Sequence, residues 1–99
     1  MTEADRDTAM MRRALEQAAL AAQAREVPVG AVVFHEAGVL AAAHNRRESD
    51  ADPTAHAEML ALREAARRLG TWRLDGCQIA VTLEPCPMCA GALINSRID

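Results

Sequence analysis

Apolar residues recur at three- and four-residue steps at Met11, Leu15, Ala18 and Ala22, with Arg12, Glu16, Gln17 and Gln23 between them. That spacing predicts a helix over about residues 7–25. Pro28 forbids its continuation, because the ring removes an amide donor and crowds the preceding turn. Val29 to His35 is rich in β-branched residues, Glu36-Ala37-Gly38 is a short turn, and Val39 to His44 is a second extended apolar run. Together they predict a β-hairpin. The polar stretch from Asn45 to Pro53 reads as a loop, with Asp52 or Thr54 able to cap a helix and Pro53 suited to its first turn. A second helix then carries a stripe of Met59, Leu62, Ala66 and Leu69 and stops at Gly70, while Arg63, Glu64, Arg67 and Arg68 solvate its other side. Cys77 to Leu83 reads as a third strand and Cys86 to about Ser96 as a third helix. The order α, β, β, α, β, α places a crossover helix between strands, which implies at least one parallel pairing. The expected class is therefore α/β, a mixed sheet with helices on both faces.

Composition narrows this picture. A chain of 99 residues, 51% apolar and 25% charged, forms one domain with one core. Much of the apolar content is alanine, and Phe34 and Trp72 are the sole aromatics, so the core should be thin. A net charge of −3 excludes general attraction to a polyanion, and any nucleic-acid contact has to be local. Three cysteines, two of them in a C-x-x-C, suit metal or thiol chemistry in a reducing compartment, and a cytoplasmic location is expected. Glu3, Asp5 and Asp7 make the N-terminus unlike a signal peptide, and no run approaches the roughly 18 apolar residues of a membrane span.

The candidate chemistry lies in Thr54-Ala55-His56-Ala57-Glu58 and Pro85-Cys86-Pro87-Met88-Cys89. One His and two Cys are ligands that zinc prefers, and three protein ligands leave the fourth tetrahedral position open. Glu58 follows the His closely and suits proton transfer to and from a water at that position. Cys86 and Cys89 share one side of the first turn of the third helix, and His56 lies in the first turn of the second, so both helix N-termini can point at one ion and favour thiolates. One difficulty stands: on an ideal helix His56 and Glu58 are about 200° apart, so they reach one site only if it lies off the helix end. Other readings of these residues stay open. The C-x-x-C can be a redox pair, and a structural zinc could take Cys77, His35 or His44 as a fourth ligand. Glu84 can tie down the turn before Pro85. Arg46 and Arg47 can meet phosphate or belong to a solvated loop with Glu48, Asp50 and Asp52. Trp72 can cover apolar surface or stack on a base.

Glu26-Val27-Pro28-Val29-Gly30-Ala31-Val32, His44-Asn45-Arg46, Asp52 to Glu58 and Thr82 to Ala92 closely resemble the bacterial tRNA-specific adenosine deaminases of the cytidine/deoxycytidylate deaminase superfamily, over about Arg12 to Ile98. The H-x-E and P-C-x-x-C pair is the signature of zinc nucleobase deaminases. The resemblance implies a cytidine-deaminase-like three-layer α/β/α fold, zinc on His56, Cys86 and Cys89, and Glu58 as proton shuttle. It also implies substrate contacts from Asn45 and Ala57, and conversion of wobble adenosine to inosine in a tRNA anticodon loop by a homodimer. Free-base guanine and cytosine deaminases share these motifs, and a catalytically silent zinc-binding fragment is a further alternative. Similar proteins continue past the position of Asp99 with further strands and helices, so a C-terminally truncated single domain over residues 1–99, with an open edge beside the third strand, is expected.

Overall fold

The computed structural model describes residues 2–99. Its elements run α1 (Glu3–Gln23), β1 (Gly30–His35), β2 (Gly38–His44), α2 (Arg47–Asp50), α3 (Ala57–Leu69), β3 (Gln78–Val81) and α4 (Pro87–Asn95). The first helix starts earlier than its apolar periodicity marks because Thr2 and Asp5 form a capping box, each side chain accepting the other's backbone N–H at 3.1 Å. α2, a single turn inside the polar stretch after β2, has no apolar stripe and was not foreseen.

Strand β1 organises the layers. Its side chains alternate, Ala31 and Val33 packing with Ala57, Ala61, Leu62 and Ala65 of α3, and Val32 and Phe34 packing with Ala14 of α1. Helix α1 therefore covers one face of the sheet and α3 with α4 the other, the three-layer α/β/α arrangement expected. Alanine makes up much of the core, and Leu74, Val32 and Val33 are its largest fully buried aliphatic side chains, so the interior is as thin as the composition suggested.

The sheet order is β2-β1-β3, and β1 pairs antiparallel with both neighbours. This corrects the expected strand–helix–strand pairing. β2 and β3 do run in the same direction, but β1, buried from Gly30 to Phe34, takes the central place between them. Parallel direction enters elsewhere: Leu74 N–H donates to Ser96 O at 2.8 Å and Asp99 N–H to Cys77 O at 2.9 Å, so residues 96–99 run alongside residues 74–77 after the α4 crossover. The far edge of β3 itself has no strand partner among the described residues.

At Gly30 the backbones of α1 and β1 approach closely. A Cβ built there would lie 2.0 Å from Ala14 O and 2.7 Å from Ala18 N, both backbone atoms that cannot rotate away. Gly30→Ala is expected to destabilise the fold by ~1–3 kcal/mol, read as a lower urea midpoint, because the helix must lift from the sheet. An unchanged midpoint would contradict this close packing.

Candidate functional site

His56 is the N-cap of α3, with extended dihedrals of φ −77° and ψ 149°, and Cys86 is the N-cap of α4, at φ −71° and ψ 169°. The His56 side chain makes no cap hydrogen bond and turns off the end of its helix, and the Cys86 sulfur lies at the end of its own. That resolves the angular difficulty seen in the sequence: His56 stands outside the helix on which Glu58 sits, and the ideal-helix angle between them does not apply. Local bonds hold the approach. Asp52 Oδ1 accepts from the Thr54 N–H and hydroxyl, both at 2.8 Å, and Ala55 O accepts from the Arg46 N–H at 2.9 Å. On the other side, Gly30 N–H donates to Thr82 Oγ1 and Thr82 N–H to Gly30 O, each at 3.1 Å, fixing the chain that leads to Cys86.

His56 Nδ1 lies 3.6 Å from Cys86 Sγ and 3.5 Å from Cys89 Sγ, and the three ligand atoms are all within 4.8 Å of one another. A tetrahedral zinc with bonds of about 2.3 Å to sulfur and about 2.0–2.1 Å to nitrogen holds such atoms roughly 3.6 Å apart. The residues therefore fit zinc. The equal approach of one imidazole to both sulfurs favours a ligand set over a redox pair. Among the described residues no fourth His, Cys, Asp or Glu joins the group. Cys77 is buried at the entry to β3, His44 Nδ1 bonds to Asn45 O at 3.2 Å, and His35 Nδ1 accepts from the Ala37 N–H at 2.9 Å.

The two thiols differ. Cys86 sits below its ordinary pKa, chiefly because the backbone N–H of Cys89 points at it, with that of Met88 adding to the effect. Burial above all, with the negative charges of Glu58 and Cys86 acting in the same direction, pushes the Cys89 thiol up to about 12. Helix N-terminal donors thus favour a thiolate at Cys86, as the spacing implied, but not at the buried Cys89. A bound divalent cation supplies the positive charge that Cys89 lacks, so metal binding and proton release are coupled here.

Beside the ligands lies a cavity of about 160 Å³, lined by Val27, Val29, Asn45, Arg47, His56, Ala57, Glu58, Leu83, Glu84 and Cys86. It is smaller than a typical drug-sized pocket and suits one planar ring. Glu58 is 4% exposed, and Asn45 5%. Asn45 closes the loop after β2: Oδ1 accepts from the Arg47 N–H at 3.2 Å and Nδ2 donates to Val27 O at 3.4 Å. It also faces the cavity, and an amide with two N–H donors keeps one beyond the Val27 bond. Ala57 is fully buried in the first turn of α3. Trp72 is 60% exposed and does not line this cavity.

Sequence reasoning gave Glu26 no role of its own. Its buried carboxylate accepts from the Glu48 N–H at 3.1 Å, the Ser49 N–H at 2.6 Å and the Ser49 hydroxyl at 2.7 Å, anchoring α2 from the loop after α1. These bonds, led by the Ser49 hydroxyl, hold the Glu26 carboxyl below its usual pKa. A single acid in the loop after α1 gives no sign of partners so far along the chain. The apolar walls Val27, Val29 and Leu83 were likewise indistinguishable from ordinary strand-end residues.

The family model of the cytidine and deoxycytidylate deaminase zinc-binding region matches residues 4–99. The tRNA-specific adenosine deaminase of Bacillus subtilis is 50% identical over 93 residues, covering 94% of this chain and 58% of that protein. A solved structure from a study of tRNA:A34 deaminases, which edit A to I at the wobble position, superposes with a TM-score of 0.89 at 45% identity, covering 92% of this chain and 66% of its own. Guanine deaminase of Bacillus subtilis superposes with a TM-score of 0.90 at 35% identity, over 100% of this chain and 61% of its own. The chain thus spans less than two thirds of the length of these relatives.

Proposed function

Because the chain belongs to the cytidine and deoxycytidylate deaminase zinc-binding family, we propose that residues 1–99 form the zinc-holding part of a single hydrolytic deaminase domain that converts adenosine to inosine at the tRNA wobble position. The observation that carries this reading is the convergence of His56, Cys86 and Cys89 beside a cavity that also holds Glu58, a carboxylate outside the ligand group. The identity to the Bacillus adenosine deaminase, above that to the guanine deaminase, favours adenosine.

His56, Cys86 and Cys89 would hold the zinc, whose Lewis acidity makes water nucleophilic near neutral pH. Two thiolates offset the ion's formal charge, so a base has to assist. Glu58 takes one proton from the attacking water and passes it to the ring nitrogen of the base. Returned to its carboxylate form, Glu58 takes the second proton from the hydroxyl now on the ring carbon and delivers it to the departing amine, so adenosine and water become inosine and ammonia. Asn45 orients the ring through its remaining amide hydrogen. Ala57, in a first helical turn where backbone donors lack intrahelical partners, meets the ring's polar edge.

The same reading includes a homodimer acting on the anticodon loop in the cytoplasm. It is supported by the tRNA-acting relatives and by exposed Trp72, Leu83 and Ile94, which offer apolar surface for association. No helix among the described residues is long and apolar enough to cross a membrane. The guanine deaminase likeness supports a second reading, free-base deamination.

Mass spectrometry of an arginine-tRNA anticodon stem-loop, incubated with the zinc-loaded chain, tests both. The expected product is inosine, with free guanine and cytosine unchanged. Turnover of a free base but not of the stem-loop would overturn the RNA reading, and bound zinc without any turnover would support a silent zinc-binding portion.

A further inference from the structure

With a net charge of −3, RNA has to be met by individual basic side chains rather than by the field of the whole molecule. Several arginines are already engaged. Arg46 pairs with Asp50 at 3.0 Å, Arg68 with Glu64 at 3.0 Å and Arg73 with Asp75 at 2.9 Å, while Arg67 also pairs with Glu64. Arg47 differs from its neighbour Arg46. It is the one arginine lining the site cavity, it is exposed, and its guanidinium has no ion pair or hydrogen bond among the described residues.

Its position is nevertheless fixed from below. The Arg47 backbone N–H is held by Asn45 Oδ1 at 3.2 Å, and the next two amides of α2 are held by the Glu26 carboxylate at 3.1 and 2.6 Å. Glu58 and Glu84 line the same cavity, so an anionic group at its rim meets two carboxylates unless a cation stands beside them. A free base carries no such anion. A nucleotide within an RNA strand carries one on each side.

We propose that Arg47 reads the phosphate flanking the base held in the cavity, selecting a nucleotide in a strand over a free base, and that Glu26 is the positioning residue that holds α2 for this purpose. The inference rests on the RNA-deaminase reading and adds what makes the site prefer that substrate. A guanidinium suits the role because its planar fork can bond two phosphate oxygens at once.

The test measures binding of a wobble-adenosine stem-loop to the zinc-loaded Glu58→Gln chain, which cannot turn it over, across a range of salt concentrations. Adding Arg47→Ala is expected to weaken binding ~10-fold and to make the slope of log K against log salt shallower by about one phosphate contact, with zinc content unchanged. Glu26→Gln, which keeps one acceptor oxygen, is expected to weaken binding when Arg47 is present and to add little in the Arg47→Ala background, a coupling that a general loss of stability would not produce. If the Glu58→Gln chain binds the stem-loop and Arg47→Ala leaves affinity and salt slope unchanged, the Arg47 role is overturned while the RNA reading stands. If it binds no stem-loop, both fall together.

Discussion

Replacing Glu58 with Gln is expected to leave zinc bound and to cut turnover by at least ~10²-fold, the usual contribution of a general acid–base group. Gln keeps the shape and one oxygen of the side chain in a pocket where Glu58 is 4% exposed, so packing should survive. What disappears is the ability to take a proton from water and return it to the base. The negative charge of Glu58 also pushes the Cys89 thiol up. Its removal should therefore make Cys89 easier to deprotonate, and metal binding at neutral pH should be no weaker than in the parent. Metal content by mass spectrometry and the rate of inosine formation together check this. Near-parental turnover would sink the proton-carrier role, whereas loss of zinc would show that Glu58 belongs to the ligand set.

His56→Ala should have the opposite signature, losing the metal itself. The fit to a tetrahedral ion depends on the imidazole standing 3.6 and 3.5 Å from the two sulfurs. Without it two thiols remain, and one of them, Cys89, is pushed up to about 12 mainly by burial. Removing an outer partner of a metal ligand already costs about 10–100-fold in affinity, and removing the ligand should exceed ~100-fold. Competition against a chromophoric chelator reads this directly, with inosine formation lost in parallel. Metal affinity equal to the parent's would refute His56 as a ligand. Because metal binding releases protons from the thiols, affinity in the parent should also rise as pH increases from mildly acidic values.

The two halves of the site were legible in the sequence to different degrees. His56, Cys86 and Cys89 stand out because zinc ligation restricts residue type and, for the cysteines, spacing within one helical turn. Asn45 was more ambiguous, since an asparagine after a strand serves equally as a turn residue, and the structure gives it both positions, closing the loop and facing the cavity. Glu26 was invisible, because its partners at Glu48 and Ser49 are neighbours only in space. The crossover rule named a parallel pairing between strands that are not adjacent, because connection order does not say which strand takes the centre of the sheet.

The sequence alone determined the periodic elements α1, β1, β2 and α3, the ligand types and the local turn at Cys86 and Cys89, since each depends on residues within a few positions of one another. Tertiary structure decided the rest. Burial on both faces placed β1 between β2 and β3, and the backbone contact at Gly30 set how closely α1 lies on the sheet. The extended N-cap conformations at His56 and Cys86 turned two helix ends toward one point. The Glu26 carboxylate held α2 beside the cavity, bringing Arg47 to it. Such arrangements follow from which distant surfaces exclude water together and which buried polar groups must find partners, and periodicity along the chain contains neither.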